Sequence, residues 1–210
     1  MTEKNLKNNQ AVVAGEIISD FEFSHEVFGE GFYFVKLKVS RLSHSSDIIP
    51  LLVSERLIDV SESRIGQFLE ARGQFRSYNK QEGNRSHLIL SLFVMELEFI
   101  DSIENRNPNT IFLDGYICKE PVYRTTPLGR EIADVLLAVN RAYGKSDYIP
   151  CICWGRNARY AGNLSVGSRI QLWGRIQSRE YQKQIGEGKV VDKVAFEVSA
   201  SQMEYIEEEE

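Results

Sequence analysis

Cysteine is scarce in this chain of 210 residues: there are three, Cys118, Cys151 and Cys153, and no CxxC pair. An odd count without paired spacing argues against a disulfide framework or a zinc site. It predicts reduced thiols packed as small hydrophobes, as expected of a cytoplasmic protein. Long apolar runs are missing as well. No stretch approaches the roughly 18 residues of a membrane span, and the opening MTEKNLKNNQ has no signal-peptide core, so no membrane segment is expected. The three histidines, His25, His44 and His87, pair with no Cys or carboxylate at metal-ligand spacing. There is no Walker lysine motif, no GxSxG and no HExxH. The expectation is therefore no metal, no cofactor and no catalytic residues. What remains is a globular composition, 42% hydrophobic and 26% charged, with a net charge of −5.

The chain contains itself twice. At a shift of 100, thirteen positions between 9 and 56 are identical without a gap, where average residue usage gives about three. They are Asn9, Gly15, Ile17, Gly29, Val35, Leu37, Val39, Arg41, Ser46, Asp47, Ile49, Pro50 and Arg56, each with its counterpart one hundred residues on. After a one-residue slip, Gly66 and Gly73 meet Gly167 and Gly174. Two domains follow, 1–104 and 105–210, joined by the polar stretch DSIENRNPN. Residues 1–104 carry 11 basic and 16 acidic groups. Residues 105–210 carry 14 of each, and without the terminal Glu207 to Glu210 that unit stands at +4. The acidic total thus hides a basic half.

Each copy reads as five short strands with one short helix between the third and fourth. In the second copy these are TIFLDGYICKE, REIADVLLAVNRA, YIPCICW, the helical GRNARYAGN, SRIQLWGRIQSREY and KVAFEVSASQMEYI. Alternation along YIPCICW puts Ile149, Cys151 and Cys153 on one side and Tyr148, Ile152 and Trp154 on the other. About 100 residues in this order suit a small closed barrel. The predicted class is all-β: two tandem OB-fold (oligonucleotide/oligosaccharide-binding) barrels.

The run SRIQLWGRIQSREY to AFEVSASQMEYI resembles the fourth and fifth strands of bacterial single-stranded DNA-binding proteins. DYIPCICWGRNA is similar to their third strand and helix start, and VLLAVNRAY to their second strand. The resemblance covers nearly all of the second copy and reaches the first through the repeat. It implies non-catalytic binding of single-stranded DNA, in replication, recombination or repair. It also implies a homodimer, since four barrels usually assemble in that family. Its stacking positions fall on Tyr143, Tyr148, Trp154 and Tyr181, and Tyr148 and Trp154 also point away from the core by parity. For the phosphates, Arg141, Arg179 and Lys183 stand first, with Arg124, Arg130, Arg175 and Lys189 beside them.

The first copy departs from this pattern. Positions matching the four aromatics hold Ser43, Ile48, Ser54 and Lys80. The outward side of its third strand, Ile48, Pro50, Leu52 and Ser54, offers apolar area but no flat ring. Its weaker candidates are Lys36, Lys38, Arg41, Arg76 and Tyr78, so this half is expected to be structural or to bind by charge alone. The family's acidic Pro-Phe tail has no match here, which leaves protein partners undefined. Aromatic residues are also enriched at protein interfaces. The alternative is therefore an OB-fold interaction module, a primosome component or assembly adaptor, with little DNA binding.

Overall fold

The computed structural model describes residues 7–43, 45–82, 85–104, 107–184 and 190–207, with the backbone alone at 80–82, 85–86, 183–184 and 190. In the first half, six strands form: β1 (Asn9–Ile17), β2 (Glu22–Val27), β3 (Glu30–Ser40), β4 (Ser46–Ser54), β5 (Phe68–Glu82) and β6 (Arg85–Ile100). Pairings run β1 to β3, β3 to β4, β4 to β6, β6 to β5 and β5 back to β1, so five strands close a ring. The β4–β6 pair is parallel, and β2 pairs along the outside of β3. Period-two burial produces this closure. Val35, Leu37 and Val39 of β3 meet Ile49, Leu51 and Val53 of β4 inside, around the fully buried Phe75. Each such aliphatic contributes roughly 1.5–3 kcal/mol by leaving water.

The second half repeats the ring with β7 (Asn109–Thr125), β8 (Glu131–Asn140), β9 (Ser146–Trp154), β10 (Arg169–Gln184) and β11 (Val190–Ile206). It closes in the order β7, β8, β9, β11, β10 and back to β7. Val135, Leu137, Val139, Ile149, Cys151 and Cys153 take the core places of their counterparts. Burial pushes the Cys153 thiol up to about 12 and the Cys151 thiol upward as well, so both remain protonated packing groups. Cys118 is half-buried rather than buried.

Two elements differ between the halves. The second carries the expected helix, α1 (Gly155–Ala161), seated by Ala158 and Ala161. The first does not: its counterpart, 55–67, consists of turns and bends. The reason is local. Asp59 Oδ1 accepts hydrogen bonds from the Ser61 backbone N–H and hydroxyl, an Asx turn that competes with helical pairing. The β-branched Ile58 and Val60 add nothing to hold a helix. The outer strand also differs, being one continuous β7 in the second half but broken into β1 and β2 in the first.

The rings join edge to edge. β1 pairs antiparallel with β7, from Asn9 opposite Leu113 to Val13 opposite Asn109, centred on Ala11 and Ile111. Those two residues are themselves counterparts in the repeat, so the junction is an internal pseudo-twofold axis. Eleven strands thereby form one continuous sheet. Among the described residues no helix is long and apolar enough to cross a membrane.

Candidate functional site

Two buried aspartates organise the seam between the rings. Asp47, at the start of β4, accepts a hydrogen bond from the Ser178 backbone N–H of the other ring at 2.8 Å. The Ser178 hydroxyl in turn accepts one from Ile48 N–H at 3.0 Å. Asp147 does the same in reverse, accepting from Ser77 N–H at 2.7 Å while Tyr148 N–H donates to the Ser77 hydroxyl at 2.7 Å. Each aspartate also gathers cations. Arg41 donates to both oxygens of Asp47, and Arg175 reaches the same carboxylate at 3.0 Å. Burial and the neighbouring Arg41 lower the Arg175 pKa against the pull of Asp47, the mark of two guanidinium groups crowding one anion. Arg141 Nε lies 3.3 Å from Asp147 Oδ2 without hydrogen-bond geometry, and Arg76 adds its field there. Each cluster keeps a surplus of positive charge. Arg41, Arg141 and Arg175, which the sequence offered as phosphate contacts, are therefore seam residues that still leave the surface cationic.

The aromatic candidates lie outside the second ring. Tyr148 and Trp154 alternate with the buried Ile149, Cys151 and Cys153 along β9, 44% and 36% exposed. Trp154 Nε1–H donates to the Ser199 hydroxyl on β11 at 3.0 Å, which fixes the indole against the barrel and leaves one side open. Ser199 stands opposite Arg175 on β10, and Arg179 and Tyr181 follow on the same side of that strand. The Arg179 guanidinium lies 5.9 Å from the centre of the Tyr181 ring and 3.7 Å from Glu197. One outer face thus brings together Tyr148, Trp154, Arg179 and Tyr181. Tyr143 stands apart in the 3-10 turn Ala142–Gly144, with a left-handed φ of 61° and 88% of its surface exposed. A bulky residue held there stores strain of order 1–3 kcal/mol. Arg124 pairs with Asp134 at 2.9 Å, and Arg130 is exposed in the β7–β8 turn. Lys189 and the side chain of Lys183 lie outside the described residues, as does His44.

The first ring contains what the sequence reading missed. Its third strand does lack rings, but the strands flanking it do not. Phe32 and Phe34 face outward from β3, His25 from β2 and Phe93 from β6, opposite Leu52. Lys36 and Lys38 are exposed on the same side of β3, and Tyr78 is 41% exposed on β5. A signal was available: Phe32, Phe34 and Phe93 have parity opposite the buried Val35, Leu37, Leu92 and Val94.

Similarity to known proteins agrees with this architecture. Residues 108–206 match the model of the single-strand binding protein family. Single-stranded DNA-binding protein 1 of Staphylococcus aureus (strain COL) is 40% identical over 93 residues, 41% of this chain and 56% of that protein. The chain thus spans little more than half the length of that relative. The single-stranded DNA-binding protein of Clostridium tetani is 33% identical over 106 residues, 47% of this chain and 70% of that protein. Among solved structures, the wild-type single-stranded DNA binding protein from Thermus aquaticus superposes with a TM-score of 0.70 at 16% identity. That match covers 96% of this chain and 94% of the other, a likeness of fold across both rings. With two closed barrels of one pattern and a relative matched over most of its length, the chain belongs to the single-strand binding protein family.

Proposed function

We propose that the chain binds single-stranded DNA without regard to sequence and without catalysis, protecting it during replication, recombination or repair. The observation that carries this is the outward row of Tyr148, Trp154 and Tyr181 with Arg179 among them. Every base has a π-face, so exposed rings take any sequence, and each stacked base is worth roughly 1–3 kcal/mol. The surplus positive charge of the seam clusters and Arg179 draw the phosphates, with Arg124, Arg130, Lys183 and Lys189 as further contacts. The relatives' names point the same way, and so does the +4 balance of the second unit without its terminal Glu207 to Glu210, that unit, 105–210, being the main binding domain beside a first domain at 1–104. Two chains pair into a cytoplasmic homodimer of four barrels, which sedimentation reads as twice the 24.0 kDa of one chain.

The test is a titration with oligo(dT) followed by tryptophan emission. The chain has two tryptophans, so the signal is assignable. Trp173 lies elsewhere, packed on Phe112 at 5.1 Å where β10 meets β7. Quenching is expected to survive Trp173→Phe, to vanish in Trp154→Phe, and to weaken by about 0.7 log units per tenfold of salt for each neutralised phosphate. Absence of binding at low salt would defeat the proposal and turn attention to protein partners.

A further inference from the structure

We infer that the first barrel is itself a strand-binding unit, with stacking rings drawn from β2, β3 and β6 rather than from the positions used by the second barrel. One DNA strand then runs from Tyr148 across the seam into this second groove. The inference rests on the single-stranded DNA reading above and extends it to a site with a different ring set.

A cavity of about 580 Å³ opens on the outer face of the first barrel, the size of a small-ligand pocket. Phe23, His25, Tyr78 and Phe93 line it, with Arg76 and Arg141. Two of the lining residues, His25 and Phe93, belong to an ordered column. The His25 ring stacks on Phe32 at 5.2 Å and 11°, and Phe32 on Phe93 at 5.9 Å and 29°. The Arg76 guanidinium also lies over the Phe93 ring, 3.8 Å from its centre, held by Gln74 Oε1 at 2.8 and 3.1 Å. Planar guanidinium and imidazole groups at the ends of a stack are surfaces on which unpaired bases settle.

Core formation does not require this arrangement. Val35, Leu37, Leu92 and Val94 already fill the interior, and Phe32, Phe34 and Phe93 point the other way. The β2–β3 hairpin adds Phe23, 59% exposed, and at its tip Phe28, fully exposed with φ of 50°. That turn position favours Asn or Gly, so an aromatic there is costly to the isolated fold. Clustered exposed rings of this kind mark a contact surface.

Charge and continuity select the occupant. Arg76 and Arg141, which share the buried Asp147, line the groove with one further carboxylate, Glu22, and the exposed Lys36 and Lys38 on the outer side of β3 add the positive charge that suits a polyanion. The groove is also continuous with the proposed site on the second barrel. Ser77, which lines it, accepts the Tyr148 N–H at 2.7 Å, and Arg141 reaches in from the second barrel. The Tyr148 backbone is thus bonded to a residue that lines the first groove, and this is where a strand stacked on Tyr148 crosses to it.

The experiment compares two oligo(dT) lengths, one near a single barrel's capacity of about 12 nucleotides and one about twice as long. It uses the full chain and three variants: the exposed pair Phe23→Ala/His25→Ala, the single Phe93→Ala, and Trp154→Ala. Circular dichroism checks that each is folded. Both first-barrel variants are expected to lose about tenfold or more in affinity for the long oligomer, with the short one unaffected; Trp154→Ala should weaken both. If the wild type binds both lengths and the exposed pair and Phe93→Ala bind the long one as tightly, the first groove does not hold the strand. If the wild type binds neither, the DNA reading itself has failed and this inference falls with it.

Discussion

Asp147 shows how one residue ties seam stability to pH. Burial raises its carboxyl pKa above the ordinary value, although the Ser77 N–H, Arg141 and Arg76 all favour the charged form. The folded chain therefore holds that proton at pH values where the unfolded chain has released it. Its contribution to stability is largest at low pH and is lost as pH rises from about 3.8 through the raised value. Asparagine keeps an acceptor for Ser77 without the charge. Asp147→Asn should gain in melting temperature relative to wild type as pH climbs from 4 to 7, and a difference flat with pH would refute the argument. Single residues also mark the limit of what the sequence discloses. The parity of Tyr148 and Trp154 was legible, because alternation within one strand is local. The roles of Arg41, Arg141 and Arg175 were not. The aspartate that Arg175 meets lies 128 residues away, and although Arg41 and Arg141 meet aspartates six residues on, only the joined rings bury those carboxylates against Ser178 and Ser77.

At the scale of elements, the bulges at Gly73 and Gly174 bend β5 and β10 where each leaves the shared sheet. A Cβ at Gly73 would lie 2.0 Å from the Phe93 carbonyl oxygen, and one at Gly174 would lie 2.1 Å from that of Ser199. The obstacle is backbone in both cases, so relief means moving a strand. Gly174→Ala is expected to cost more than about 2 kcal/mol in urea unfolding, at the upper end of ordinary substitutions. A loss within about 0.5 kcal/mol would show that the bulge relaxes freely. Repeat and periodicity disclosed the strands of both halves apart from β2, which falls between the expected GEIISDF and FYFVKLKVS segments, and the glycine counterparts were part of that signal. The helix expected within SERLIDVSES (54–63) failed because the repeat carries position but not conformation: Asp59 and Ser61 stand where the second copy has Arg159 and Ala161. The ring column of the first barrel escaped notice for a different reason. His25, Phe32 and Phe93 come from three strands, and only the closed barrel places them together.

Taken whole, the molecule is one sheet closed twice, with the seam clusters bracing the β1–β7 junction. Asp47 tests that bracing. Its side chain is buried, and its removal strands the Ser178 N–H and leaves Arg41 and Arg175 to repel each other. Breaking a buried pair from one side costs about 3–5 kcal/mol. Asp47→Ala should lower stability by that order in equilibrium unfolding, and a loss under about 1 kcal/mol would mean the seam is idle. The β1–β7 pairing has a consequence of another kind. In an assembly of identical one-barrel chains, a substitution made in one barrel is made in all of them. Here the partners across the pseudo-twofold are encoded separately, so Phe93, opposite Leu52, can differ from Ser199, which holds the equivalent place opposite Ile152, and α1 is present in one half while 55–67 is turns in the other. Tandem encoding also makes the first pairing step unimolecular, insensitive to dilution. The two barrels are free to diverge in chemistry while neither can be lost from the other.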